Sequence, residues 1–158
     1  MVLVHGFLGN SYDMRVMKNI LCWRFPDIQA FCSSDNEAST EGDIQYMGER
    51  LAKEVRAYIK EWFPNNTLHK LSFIGHSMGG VIIRAALPRL EEYKPAMQTF
   101  ITFSSPHLGC MYQNSTLVNA GMWIVKKWKK SASLEQLAMS DSSELANCFM
   151  YKLSETVV

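Results

Sequence analysis

The sequence lacks an excess of charge of either sign, since sixteen lysines and arginines balance fifteen aspartates and glutamates to a formal net charge of +1. Such a chain has no overall field to attract nucleic acid, and we expect no nucleic-acid partner. It also lacks an apolar run of the roughly 18 residues that cross a membrane. Its first residues lack the charged segment and long apolar run of a signal peptide. These absences predict a cytoplasmic, intracellular protein that contacts a membrane at most peripherally.

Cysteine is sparse and follows no pattern. The chain contains four cysteines, at Cys22, Cys32, Cys110 and Cys148, with no Cys-x-x-Cys pair and no spacing typical of metal ligands. We therefore expect reduced, mostly buried thiols, and neither a metal site nor a cofactor.

One stretch carries a recognisable chemical pattern. Residues 71–87 hold a short apolar run, then Gly75-His76-Ser77-Met78-Gly79, then a second run of helical character. Gly-x-Ser-x-Gly between a strand and a helix indicates a nucleophile elbow, a strained turn that exposes a reactive serine. The glycines let the flanking backbone pass close to its neighbours. The pattern predicts Ser77 as a nucleophile; the alternative is a glycine-rich turn with an ordinary surface serine.

Strand-like and helix-like segments alternate along the chain. Strand-like segments are predicted at 1–4, 27–32, 71–74 and 98–103, and apolar residues at helical spacing predict helices over 11–23, 44–62 and 78–87. Asp43 is the predicted N-cap of the second helix, whose apolar face runs from Ile44 to Trp62. This alternation predicts an α/β fold, a parallel sheet of about four core strands with helices on both faces. Catalytic residues then collect at the carboxyl ends of the strands, where His5, Ser77 and His107 lie.

The loop after the first strand is the predicted partner of Ser77. A serine nucleophile needs backbone donors that stabilise the developing oxyanion. The N–H of Met78 is one expected donor and the N–H of Phe7, in the sequence His5-Gly6-Phe7, is the other. The alternative is that His5-Gly6-Phe7 forms a plain turn.

The general base is harder to assign. Hydrolases with this elbow place an acidic residue and then a histidine after the serine, yet His107 is the only histidine after Ser77 and follows the very next strand. It could serve as an improvised base, whereas His5 and His76 are typical of residues that satisfy local hydrogen bonds. Asp141 and Glu144 follow no predicted strand, so neither fits the catalytic acid. The sequence supplies a nucleophile and an oxyanion hole without an evident acid–base pair.

The segment from Met122 to Lys130 mixes two tryptophans with four lysines. One interpretation is an interfacial helix that lies on anionic lipid or covers the site as a lid. The other is an ordinary helix that buries its tryptophans and exposes its lysines.

Three motifs resemble those of the lipase-like serine esterases of the α/β-hydrolase fold. They are Val-Leu-Val-His-Gly-Phe-Leu-Gly-Asn at 2–10, Phe-Ile-Gly-His-Ser-Met-Gly-Gly at 73–80 and Phe-Ser-Ser-Pro-His-Leu-Gly at 103–109. The run from Ser104 to Ser131 is more specific and is similar to the C-terminal hydrolase domain of the animal proteins called family with sequence similarity 135. The resemblance implies one partial α/β-hydrolase domain over 1–158, truncated at both ends.

The resemblance also implies a function. It carries Ser77 over as the nucleophile, with a role in lipid metabolism and an acyl ester, in particular a lipid ester, as substrate. In that family the catalytic acid and histidine lie in a part downstream of residue 158. Two hypotheses stay open: an active serine esterase, and a catalytically inactive hydrolase fragment that acts as a binding or interaction module.

Overall fold

The computed structural model describes residues 1–110 and 131–156. Within them, four parallel strands form one sheet in the order β2-β1-β3-β4. The strands are β1 (Val2–Val4), β2 (Phe31–Cys32), β3 (Leu71–His76) and β4 (Met97–Phe103). The helices are α1 (Arg15–Arg24), α2 (Ile44–Trp62), α3 (Met78–Ala86), α4 (Ala132–Leu137) and α5 (Phe149–Glu155). The predicted parallel α/β architecture is confirmed for these residues.

Helices cover both faces of the sheet. On one face α2 and α3 pack against β1 and β3, and the helices contribute buried side chains that include Met47, Leu51, Val81, Ile82 and Ile83. On the other face Met14, just before α1, packs against Leu3 and Ile74. The two buried clusters place the sheet in the middle of three layers, as the continuous apolar runs of the strands predict.

Two sequence predictions differ from the structure in this region. The predicted strand over 27–32 pairs only at Phe31–Cys32, because Ile28 N–H donates to the Phe25 carbonyl (3.1 Å) and turns the chain before it reaches β1. The spacing also places Trp62 on the apolar face of α2, but this residue lies in the last turn, where it is 55% exposed. The other predicted positions on that face, from Ile44 to Ile59, are buried.

The thiols in the described residues are all free, as predicted, but they are not mostly buried. Only Cys148 is buried; Cys22 and Cys32 are half-buried and Cys110 is exposed. Cys22 on α1 and Cys32 on β2 lie at the edge of the sheet, since β2 is the outermost strand on that side.

Long apolar helices are absent from the described part of the chain, where no helix could span a bilayer. The tryptophan–lysine segment from Met122 to Lys130 lies outside the described residues.

At the opposite edge of the sheet from β2, the side chains of Phe100, Ile101 and Phe103 on β4 are about two-fifths exposed.

The start of α2 is fixed in part by Gln136, which follows Ile44 by 92 positions. Asp43 caps the helix as predicted, because its Oδ1 accepts the N–H groups of Gln45 (2.7 Å) and Tyr46 (3.1 Å). Gln136 of α4 completes the cap: its Nε2 donates to Asp43 Oδ2 (2.7 Å) and its Oε1 accepts the N–H of Ile44 (2.8 Å). The C-terminal segment is thereby tied to the main body of the fold.

Replacing Gln136 with Ala should lower the free energy of unfolding by about 1–3 kcal/mol, because the buried N–H of Ile44 loses its acceptor. Denaturant unfolding followed by circular dichroism measures this loss. Glu135→Ala is the matched control, since Glu135 is exposed on the same helix. Equal losses in the two variants would show that the cap contributes nothing.

Candidate active site

Ser77 forms the turn between a strand and a helix by itself. β3 ends at His76 and α3 begins at Met78, and Ser77 has φ 53° and ψ −126°. A residue with a Cβ is strained in that region, and the surrounding structure must hold it there. Two backbone bonds do so: Ser77 N–H donates to the Phe103 carbonyl (2.8 Å), and Gly80 N–H donates to the Ser77 carbonyl (3.2 Å). The strained turn that the sequence predicts between a strand and a helix therefore lies at Ser77.

Close backbone packing explains the glycines on either side of this turn. A Cβ on Gly79 would collide with the carbonyls of Val4 and His5, so α3 can begin directly against the end of β1 only without a side chain there. Likewise, a Cβ on Gly6 would lie 2.9 Å from Ser77 Cβ. Gly75 is crowded in the same way by the backbone of Gly80. The loop after β1 and the serine turn are consequently in direct contact.

A pocket of about 280 Å³ opens beside Ser77. Its walls come from the loop after β1, the segment leading into α1, the serine turn and the end of β4; the lining residues are Gly6, Phe7, Gly9, Asp13, Met14, Met17, His76, Ser77 and Phe103. Phe7, one of the two predicted oxyanion donors, lies in this wall. Met78 is the first residue of α3, so its N–H has no acceptor within the helix. The lining combines apolar side chains with the Ser77 hydroxyl, the Asp13 carboxylate and the His76 imidazole.

The sequence patterns do not identify every residue of this lining. Periodicity assigns Met14 and Met17 only to the helix that follows the loop, and it gives Asp13 no role. Asp13 Oδ2 accepts the N–H of Asn10 (2.9 Å), while Asn10 Oδ1 accepts the N–H of Tyr12 (2.9 Å). A capping box of this kind has a sequence signal, an Asn followed three residues later by an acidic side chain. This capping box fixes the position at which α1 meets the pocket.

Two of the predicted supporting histidines lie near Ser77. His76 is exposed and lines the pocket. His5 is fully buried; its Nδ1 lies 3.0 Å from the Gly6 carbonyl, and its Nε2 has no hydrogen-bond partner among the described residues. Over 1–110 and 131–156, no hydrogen bond joins either histidine to Ser77 Oγ.

His107, the candidate for an improvised base, is engaged elsewhere. Its Nε2 lies 3.0 Å from Thr102 Oγ1, its carbonyl accepts a hydrogen bond from Arg84 Nη1 (2.9 Å), and it is not among the residues that line the pocket. Burial lowers the pKa of the imidazole, and the nearby Arg84 guanidinium lowers it further. The structure uses His107 to hold the segment after β4 against α3.

The late carboxylates have local structural contacts. Asp141 Oδ2 accepts the N–H of Phe149 (2.8 Å), and Glu144 Oε2 accepts a bond from Asn147 Nδ2 (2.7 Å). Both bonds lie at the start of α5, away from the pocket lining. In the described part of the chain, no three His, Cys, Asp or Glu side chains cluster as metal ligands would.

The lowered pKa of His107 should make stability depend on pH. In the unfolded chain the imidazole takes up a proton near its ordinary pKa of 6.5, while the folded protein resists protonation to lower pH. The unfolded state then binds more protons between the two values, so the free energy of unfolding should fall as pH drops below about 6.5. Unfolding measured across this range should show a weaker fall in His107→Gln. His69→Gln, at an exposed histidine before β3, should keep the parent's slope; an unchanged slope in His107→Gln would refute this account.

Comparison with known proteins adds to this geometry. A family model described as "Putative serine esterase (DUF676)" matches residues 1–157. Over 129 residues the chain is 34% identical to "Putative lipase ROG1" of Saccharomyces cerevisiae; the match covers 74% of this chain and 18% of that protein. The chain thus spans about a fifth of that relative's length.

Solved structures share the fold at low identity. Mature Bacillus licheniformis lipase BlEst2 aligns with a TM-score of 0.63 at 20% identity, covering 96% of this chain and 61% of that one. Aspergillus fumigatus lipase B aligns with a TM-score of 0.56 at 17% identity, covering 72% of this chain and 25% of that one. These likenesses confirm the predicted α/β-hydrolase type of fold.

Proposed function

The chain belongs to this serine esterase family, and we propose that it is a hydrolase of acyl esters with Ser77 as its nucleophile. The observation that carries the proposal is the backbone of Ser77, held at positive φ between β3 and α3 and directly beneath the loop after β1. Strain of this kind is found where a reactive side chain must be presented. The match to the family model over nearly the whole chain supports the same reaction class.

The proposed reaction follows the acyl-enzyme route. Ser77 Oγ attacks the ester carbonyl carbon as a base removes its proton, and the electron pair of the C=O bond moves to oxygen. The N–H groups of Met78 and Phe7 are the proposed donors that stabilise this oxyanion. The tetrahedral intermediate then expels the alcohol, which takes up a proton, and water hydrolyses the acyl-serine.

The pocket supports an acyl group as the part of the substrate that is recognised. Phe7, Met14, Met17 and Phe103 give it apolar walls. An acyl chain can bury methylene groups there, each worth about 0.8 kcal/mol. All three of the relatives and solved structures named above are described as lipases, which is consistent with a lipid ester and a role in lipid metabolism.

A second candidate function has its own supporting observation. No histidine in the described ranges hydrogen-bonds Ser77 Oγ, and His107, the only histidine after Ser77, is bonded to Thr102. Without a base, a serine hydrolase loses up to about 10⁶ in turnover, although the oxyanion hole alone retains roughly 10³–10⁴ over water. A hydrolase fold in that condition would act as a binding or interaction module.

A fluorophosphonate probe should label the purified chain at Ser77. An activated serine attacks phosphorus and displaces fluoride, so mass spectrometry of the digested protein should find the adduct on the peptide that contains Ser77. Ser77→Ala should abolish the adduct. Ser140→Ala, at an exposed serine outside the pocket, is the matched control and should label like the parent.

Two outcomes separate the candidate functions. Labelling confined to Ser77 means that a group in this chain activates the serine, and hydrolysis of short-chain nitrophenyl esters should then depend on Ser77 as well. A folded chain that stays unlabelled, and whose residual esterase rate equals that of Ser77→Ala, would favour the binding module.

Gly6→Ala should impair the proposed oxyanion hole without unfolding the protein. The new Cβ would lie 2.9 Å from Ser77 Cβ and 3.2 Å from the His76 carbonyl, so the loop that carries Phe7 must move away. Loss of one oxyanion donor costs about 10²–10³ in rate, and we expect a fall of at least about tenfold in the labelling rate.

Gly42→Ala is the matched control for this change. A Cβ at Gly42 meets only the Ser39 carbonyl, at 3.2 Å, in a loop that does not line the pocket. Gly6→Ala and Gly42→Ala should both have melting temperatures close to that of the parent protein. Parent-like labelling of Gly6→Ala would mean that the loop after β1 supplies no donor.

A further inference from the structure

We infer that the outer side of α1 and of the turn before it is a docking surface for anionic lipid membranes. Four large side chains lie there at intervals of four, four and three positions. They are exposed by 69% at Tyr12, 68% at Val16, 59% at Ile20 and 83% at Trp23. We call these four residues the outer α1 face. Single exposed apolar residues are ordinary, but a continuous row of them along one helix marks an interaction surface.

The row is not a misplaced core face, because a different side of α1 and of the turn before it packs against the sheet. Met14 is buried against Leu3 and Ile74, and Met17 and Leu21 pack on the same cluster. At about 100° per residue, the three helical members of the outer α1 face fall within an arc of about 60° that points away from those contacts. The helix therefore presents apolar side chains in two directions about 120° apart, and the sheet accounts for only one.

Charge indicates what the outer α1 face binds. Arg15 and Arg24 are both exposed and lie on opposite flanks of the row, about 110° and about 70° from its centre. The guanidinium carbon of Arg15 lies 5.3 Å from the Tyr12 ring centroid, and that of Arg24 lies 5.8 Å from the ring centroid of Phe25. Neither arginine belongs to an ion pair within the described residues.

An apolar row with aromatic residues and flanking cations is the pattern of a helix that lies in a membrane interface. The apolar side chains enter the acyl boundary, and the arginines reach phosphate and carboxylate headgroups, each basic residue strengthening attachment to an anionic surface. A second copy of the chain docking on this face would bring the same arginines towards each other. The charges therefore favour an anionic lipid surface over self-association.

The position of the face relates it to the proposed active site. Asp13, Met14 and Met17 of the same segment line the pocket of Ser77. Leu8, at 57% exposure in the loop that also carries Phe7, extends the apolar surface towards that pocket. A membrane bound to the outer α1 face would lie one helix diameter, about 10 Å, from the pocket. Binding itself does not require Ser77 to react, so Ser77→Ala should bind as the parent does.

Co-sedimentation of the full chain with lipid vesicles tests the inference. We expect pelleting with phosphatidylcholine vesicles that contain about 30% phosphatidylserine, weaker pelleting with phosphatidylcholine alone, and weakening at about 0.5 M salt. Ile20→Ser with Trp23→Ser should reduce the partition coefficient by at least about tenfold. Tyr46→Ser with Trp62→Ser is the matched control, since these exposed aromatic residues lie on α2 across the sheet, and it should bind like the parent.

The charges are tested in the same assay. Arg15→Gln with Arg24→Gln should weaken binding to the anionic vesicles by about tenfold and leave binding to phosphatidylcholine nearly unchanged. Lys53→Gln with Lys60→Gln removes the same charge from exposed positions on α2 and should have a smaller effect. Circular dichroism melts establish that each variant is folded.

Trp23→Phe is a conservative change that keeps the test decisive if the variant with Ile20→Ser and Trp23→Ser fails to fold. Brominated phosphatidylcholine in the vesicles should quench tryptophan emission in the parent, and Trp23→Phe should lose much of that quenching, whereas Trp62→Phe should not. Parent-like quenching in Trp23→Phe, or parent-like pelleting in the Ile20 and Trp23 variant, would overturn the inference. So would binding that depends on the lysines of 126–130 alone, or sedimentation velocity showing that the outer α1 face instead holds two copies together.

Discussion

The contact between the first turn of α3 and the end of β1 is the constraint on which the site depends. Gly79 lies against the carbonyls of Val4 and His5, closer than any side chain would permit. That approach fixes the loop after β1 over the serine turn and brings Gly6 to Ser77. Because nearly every residue of α3 is buried, the helix cannot shift to relax Ser77. The cost of a positive φ, about 1–3 kcal/mol, is thereby offset by the core.

Structural features that depend on residues close together along the chain were predictable from the sequence. Strands buried on both faces have continuous apolar runs, helices covering them have apolar residues three and four apart, and a glycine–serine–glycine turn between the two kinds of run has few other interpretations. These signals are sufficient for the parallel arrangement of the strands, for the cap at Asp43 and for the turn at Ser77. Each depends on neighbours that are close along the chain.

Features that depend on tertiary contacts were not predictable in the same way. The short β2 is the exception, because the turn at Phe25–Ile28 that delays its pairing with β1 is local and has a sequence signal in Pro26 and Asp27. Gln136 reaches Ile44 across 92 positions. The pocket draws on Met14 and Met17 because of the way α1 packs on the sheet, and periodicity assigns such residues to a face without saying what the face encloses.

The side of the site that presents the nucleophile is better organised than the side that would remove its proton, and this difference affects the chemistry. The side that presents the nucleophile is rigid: Ser77 is held by bonds to Phe103 and Gly80, and the loop of Phe7 is pressed against it. The side that would remove the proton has no counterpart among residues 1–110 and 131–156, where the His107 ring is bonded to Thr102. A serine held at positive φ between a strand and a helix is the arrangement that presents a reactive side chain. The retained strain therefore favours chemistry at Ser77, with the identity of the base as the point on which activity depends.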